Sequence, residues 1–186
     1  AVVRVPQGDD WILKQVLDLG AQSILVPMVE TALQAEKVVK ACKYAPEGNR
    51  GVGYALARAS GYNAITDYAQ TANNQICVIV QVETLAAMQN IPEIAKVSGV
   101  DCIFIGPADL SADMGYLGNL NHPEVLEVIA QGMADIAAAG VCAGTICLAA
   151  DEQHRFVAQG GKFLGVAADV ITLQAALKST VAIARS

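Results

Sequence analysis

Val78-Ile79-Val80-Gln81-Val82-Glu83-Thr84 and Ile103-Phe104-Ile105-Gly106-Pro107-Ala108-Asp109-Leu110 decide how this sequence folds. Each stretch places a carboxylate just past a short apolar, β-branched run, 76–80 before Glu83 and 100–105 before Asp109. Such a run, bounded by Gly, Pro or an acid, reads as a strand buried on both faces, the mark of a parallel sheet. Two consecutive parallel strands therefore end in acids at the same edge. In a barrel of parallel strands that edge carries the chemistry. Two carboxylates side by side repel unless something positive lies between them, and a hard divalent cation with oxygen ligands, Mg²⁺ or Mn²⁺, meets that need. Zinc fits less well, because no His lies near either acid and the cysteines form no ligand cluster.

Working outward, strand and helix patterns alternate. Strands are expected over 1–5, 23–29, 76–82, 100–105, 141–148 and 163–166, and helices over 9–19, 31–44, 65–72, 85–97, 123–139, 151–159 and 172–184. Thr31-x-x-Gln34 is a capping-box pattern, Pro92 interrupts its helix, and Pro123 suits a first-turn position. Repeated strand–helix alternation implies an α/β fold with right-handed crossovers. We read six βα units in a single domain, 1–186. Nothing resembles the Gly-rich loops of nucleotide-binding sheets. Chemistry-bearing residues at several strand ends favour six-eighths of a (β/α)₈ TIM barrel over an open doubly wound sheet. The sequence opens at Ala1 within a strand pattern, which suggests that two further units precede it.

Hydrophobic residues make up 54% and charged residues 16%, which suits strands covered on both faces and excludes a disordered chain. A net charge of −6 argues against a nucleic-acid surface. No apolar stretch reaches the roughly 18 residues of a membrane span. The five cysteines are odd in number and lack C-x-x-C spacing, so we read them as reduced core thiols of a cytoplasmic protein.

Further residues fit a site at the strand ends. Arg4, between Val3 and Val5, is too apolar in context for surface filler and could meet a ligand oxygen. Gln81 shares a strand face with Glu83. Gly106-Pro107-Ala108-Asp109 is a tight turn whose main-chain N–H groups could hold a carboxylate. The long Gly-rich stretch with Arg50 and Arg58 is a candidate lid. His122 and His154 sit at helical positions and suit structural roles better than acid–base ones, and Asp18, between Leu17 and Leu19, is most simply exposed.

Together with Val3-Arg4-Val5, Leu25-Val26-Pro27-Met28-Val29, Arg50-Gly51-Val52-Gly53 and Ala57-Arg58-Ala59, the segments around Glu83 and Asp109 resemble the HpcH/HpaI aldolase family, the metal-dependent class II pyruvate aldolases. The resemblance runs over essentially the whole sequence. It implies a TIM barrel of the phosphoenolpyruvate/pyruvate type, assembled as a homohexamer (a trimer of dimers). It implies reversible cleavage of a 4-hydroxy-2-keto acid, such as 4-hydroxy-2-oxoheptanedioate in aromatic-compound catabolism, to pyruvate and an aldehyde such as succinate semialdehyde. It gives Glu83 and Asp109 the part of ligands to Mg²⁺, Mn²⁺ or Co²⁺, and Arg4 that of stabilising the enolate. Gly106, Pro107 and Ala108 would bind the pyruvate carboxylate, with Gln81 alongside. Asp18 matches the family aspartate that partners a catalytic histidine.

That histidine stands in a Gly-Glu-His segment upstream of the arginine strand in the family, and this sequence has no such segment. One rival reading is a CoA-thioester lyase of the citrate or malyl-CoA type. It needs a basic surface that 12 Lys+Arg against 18 Asp+Glu do not favour. A second is an inactive, truncated barrel that binds metal or pyruvate without turnover.

Overall fold

Alternation along the strands explains a sheet covered on both sides. The computed structural model describes residues 1–185. Its six strands are β1 (Val2–Arg4), β2 (Ser23–Val26), β3 (Cys77–Val82), β4 (Cys102–Ile105), β5 (Cys142–Ile146) and β6 (Gly161–Gly165). They lie side by side in chain order, each pair parallel. Val78, Val80 and Val82 of β3 and Ile103 and Ile105 of β4 face the helices and join the main core with Leu13, Leu17, Val38, Ile91, Ile129 and Met133. The opposite face carries Leu25, Ile79 and Cys102, with Cys77, Phe104, Cys142 and Phe163 packed against them.

That second face is concave. β4 and β6 flank β5, so a flat sheet would hold them nearly 10 Å apart, at about 4.8 Å per strand spacing. The Phe104 and Phe163 ring centroids are nevertheless 5.7 Å apart. They meet over Gly144, where a Cβ would lie 3.0 Å from Phe104 and 3.1 Å from Phe163. The sheet is a curled partial barrel, and this is its inner wall.

Nine α-helices among the described residues complete the fold: α1 (Asp10–Asp18), α2 (Ala32–Cys42), α3 (Tyr68–Gln75), α4 (Leu85–Gln89), α5 (Ile91–Ile94), α6 (Pro107–Asp113), α7 (Pro123–Ala138), α8 (Ala150–Ala158) and α9 (Asp169–Arg185). The Thr31–Gln34 capping box forms as expected, opening α2. The expected helix over 85–97 is two short ones, because Pro92 has no N–H to continue the ladder and instead sits in the first turn of α5. The turn expected at Gly106 is the N-cap of α6, with Pro107 at the first helical position. The helix expected over 65–72 begins later, at Tyr68.

The lid reading is corrected. The long loop follows α2 and precedes β3, so it lies at the end where the strands begin. There Arg50 is 3% exposed and its guanidinium stands 4.4 Å over the Tyr44 ring. Arg58 donates through Nη1 to the Leu19 carbonyl at 2.8 Å. A loop joining a helix to a strand reaches the carboxylate edge only by crossing the height of the barrel.

All five cysteines are free thiols. Burial pushes the Cys42 thiol up to about 12, as suits an inert core residue.

Candidate active site

Glu83 follows the last residue of β3 and is 1% exposed. A charge buried without partners is costly, so such an acid is not filler. Its Oε1 accepts the Met28 N–H at 2.9 Å, and its Oε2 accepts from Gln81 Nε2 at 2.5 Å. Gln81 in turn accepts at Oε1 from Arg4 Nε at 3.3 Å. Three strand ends are thus wired in series, Arg4 of β1 to Gln81 of β3 to Glu83, with the β2 exit supplying Met28.

The turn after β4 closes on this relay. A Cβ on Gly106 would lie 2.6 Å from Gln81 Nε2, 2.6 Å from Glu83 Oε2 and 3.0 Å from Glu83 Cβ. Only hydrogen fits there, so Gly106 is where the backbone approaches the buried acid. Ala108 and Asp109 sit in the first turn of α6, where N–H groups have no acceptor within the helix. Asp109 is exposed, and its carboxylate faces Glu83. Burial foremost pushes the Glu83 carboxyl above its usual range, and the neighbouring Asp109 charge adds to this; the Met28 N–H and Arg4 work against it. Among the described residues neither acid forms a salt bridge to Lys or Arg.

The pair suits a hard cation. Like charges at close range, one of them buried and held by two donors, form a site of high negative potential. Each Glu83 oxygen keeps a lone pair after its one hydrogen bond. Among the described residues no group of three or more His, Cys, Asp or Glu assembles as a metal nest. Two carboxylates, with the remaining positions left to substrate and water oxygens, is the usual arrangement for Mg²⁺.

Asp18 stands elsewhere. α1 runs against the strands and carries Asp18 to their starting end, about 13 Å along nine residues. There it accepts from Arg50 Nη2 at 2.7 Å and pairs with Lys14. It is therefore half-buried in an ion-pair cluster rather than simply exposed. Burial works to raise its carboxyl, but the hydrogen bonds from Arg50 and Lys14 prevail and hold it below the usual range. Neither histidine joins the Glu83 cluster. His122 stacks on Tyr116 at a centroid distance of 3.6 Å, and His154 is exposed on α8.

Sequence reasoning assigned no part to Met28. Its role depends on a left-handed backbone, φ 56°, at a residue type that carries no signal for one.

A family model, HpcH/HpaI aldolase/citrate lyase, matches residues 1–176. The chain belongs to the HpcH/HpaI aldolase/citrate lyase family. It is similar to a hydroxypyruvate/pyruvate aldolase from Roseobacter denitrificans, 49% identical over 172 residues that cover 92% of this chain and 67% of the relative. It is also similar to a 4-hydroxy-2-oxo-heptane-1,7-dioate aldolase from Shigella flexneri, 49% identical over 181 residues, 97% of this chain and 68% of the relative. A solved HpcH/HpaI-family structure from Burkholderia cenocepacia superposes with a TM-score of 0.95 at 37% identity, covering all of this chain and 73% of that one. The chain thus spans roughly two thirds of the length of the curated relatives it matches, 64% in the case of an Agrobacterium fabrum aldolase. Citrate-lyase structures match this chain at 14% and 18% identity, a likeness of fold alone.

Proposed function

We propose that this HpcH/HpaI domain serves a divalent-metal-dependent aldolase, reversibly cleaving a 4-hydroxy-2-keto acid to pyruvate and an aldehyde. The carrying observation is the convergence of Arg4, Gln81, Glu83, Gly106 and Asp109, which no structural need of a sheet edge explains. Glu83 and Asp109 would hold Mg²⁺, Mn²⁺ or Co²⁺, which when bound supplies Lewis-acid polarisation of the keto acid.

The chain's own residues do the rest. The first turn of α6 offers main-chain N–H groups at Ala108 and Asp109 to the keto-acid carboxylate, and Pro107 stiffens that turn. Arg4 spends Nε on Gln81 and, among the described residues, makes no other hydrogen bond or ion pair. Its remaining donors are available to the keto oxygen, where negative charge grows as the C3–C4 bond breaks and its electrons move into the enolate. A donor held in place beforehand is worth roughly 10²–10³ in rate. Gln81 uses its carbonyl on Arg4 and one N–H on Glu83, so its second N–H is the one left for a ligand. Asp18 takes no part at this edge, because its pairs with Arg50 and Lys14 hold it at the opposite end of the strands, against the catalytic role that the family likeness implies.

4-Hydroxy-2-oxoheptanedioate, or a hydroxypyruvate-derived adduct, is the proposed substrate, on the strength of the relatives' names. We also propose a single barrel domain in a homo-oligomer, a hexamer by family likeness. α9 supports association, because Leu173 (61%) and Leu177 (57%) stand in water in the single chain. No described helix is long and apolar enough to cross a membrane, and a cytoplasmic site of action is part of the proposal. The test is pyruvate release from 4-hydroxy-2-oxoheptanedioate with Mg²⁺ or Mn²⁺, before and after chelation. Glu83→Gln and Asp109→Asn should each abolish release and saturable Mn²⁺ binding. Metal-independent release, or full activity in either variant, defeats the reading.

A further inference from the structure

We infer that Met28 is a positioning residue for Glu83, acting through its backbone and not its side chain. The inference rests on the metal reading of Glu83.

The β2–β3 ladder ends at Val26 opposite Val80. The chain does not leave the sheet there. Val29 N–H donates to the Gln81 carbonyl at 3.0 Å, and beyond it Glu30 is tied down twice: its carboxylate accepts from Thr84 Oγ1 at 3.0 Å, and its carbonyl from Asn90 Nδ2 at 2.8 Å. Between these anchors Met28 turns left-handed and sends its N–H to Glu83 Oε1 at 2.9 Å. Just two other non-glycine described residues are left-handed, Tyr62 and Asn63, both in the long loop at the opposite end of the sheet.

A residue with a Cβ enters that region only when its surroundings hold it there, and such residues gather at functional sites. The Met28 side chain is 56% exposed, so core packing does not hold it. The holding contacts are the bonds that Val29 makes to Gln81 and Glu30 to Thr84 and Asn90, around and just beyond the end of β3. They force an irregular step that re-aims one N–H from the ladder onto a side chain, as bulges near active sites do. The consequence falls on Glu83. With Met28 on Oε1 and Gln81 on Oε2, the carboxylate has one orientation, and its free lone pairs face away from both donors. Without the Met28 N–H, Oε1 would be buried with no protein donor.

The experiment substitutes Met28 by Gly, Asn, Ala and Val in the otherwise unchanged protein and titrates each with Mn²⁺ alone, reading free Mn²⁺ by electron paramagnetic resonance. Circular dichroism and melting confirm the fold. Gly and Asn tolerate the left-handed region, Ala resists it, and Val is worst. Mn²⁺ affinity should stay within about twofold of the parent for Gly and Asn, fall for Ala and fall about tenfold or more for Val, the usual range for loss of a group that orients a metal ligand. If Val does not fold, Ala against Gly decides the matter. Equal affinity across the series removes the inference and leaves the metal reading standing. So does loss that tracks side-chain size, with Gly worst. No saturable Mn²⁺ binding by the unsubstituted protein removes the metal reading, and this inference with it.

Discussion

Gly106→Ala adds one methyl group at the tightest point of the site. The Gly106 φ is −92°, a value that alanine adopts freely, so the substitution tests contact and not backbone strain. The new Cβ would stand 2.6 Å from both Gln81 Nε2 and Glu83 Oε2. Ordinary contact needs about 3.4 Å or more, so these atoms must retreat by several tenths of an ångström. Flexible side-chain ends usually yield cheaply. Here they do not, because Gln81 is 7% and Glu83 1% exposed, and both are tied by hydrogen bonds that a retreat would break. Overpacking of this kind costs about 1–3 kcal/mol of stability, or a melting point lower by several degrees in a chain of this size. The functional cost should be larger. A displacement approaching 1 Å in a preorganised site can cost about 10²-fold in rate. We expect kcat/KM for pyruvate release to fall roughly 100-fold and Mn²⁺ affinity to weaken in parallel, with an intact circular dichroism spectrum. An alanine variant with wild-type kcat/KM and melting point would show that the turn does not abut the acid, and the site as described would fail.

Two further outcomes follow from the same contacts. Gln81→Leu cuts the relay between Arg4 and Glu83 while filling similar volume, so the variant should fold, bind Mn²⁺ about 10–100-fold more weakly and lose kcat/KM to a similar degree; unchanged Mn²⁺ affinity would refute the relay. Asp18 binds its proton less readily folded than unfolded, so its contribution to stability is present above the ordinary value of 3.8 and is lost as pH falls through the lower folded value. Denaturant midpoints measured from pH 6 to pH 2.5 should therefore fall more steeply below about pH 4 for the parent than for Asp18→Asn, and identical slopes would contradict the ion-pair account.

Much of the site was legible because its parts are local. A carboxylate after a buried strand run marks a strand end, and two consecutive runs put Glu83 and Asp109 at one edge. Arg4 and Gln81 were legible for the same reason, a polar residue in an apolar strand. The Thr31–Gln34 cap was readable because it needs just four consecutive residues. α6 was missed because Gly106-Pro107 suits a turn as well as a helix start, and packing against α7 chooses between them. The loop with Arg50 looked like a lid because composition reports length and glycine content, not which end of the barrel a loop occupies.

By itself, the order of apolar runs and breakers determined a parallel α/β sheet and the edge at which its acids gather, because hydrophobic periodicity and strand direction are properties of consecutive residues. The tertiary structure alone decided which groups touch. It set Gly106 against Glu83, sent Asp18 to Arg50 at the far end, and turned Met28 left-handed onto the buried carboxylate. Those outcomes depend on strand register, on curvature and on bonds between separate segments, 32 residues apart for Asp18 and Arg50 and 55 for Met28 and Glu83, and no local pattern encodes them.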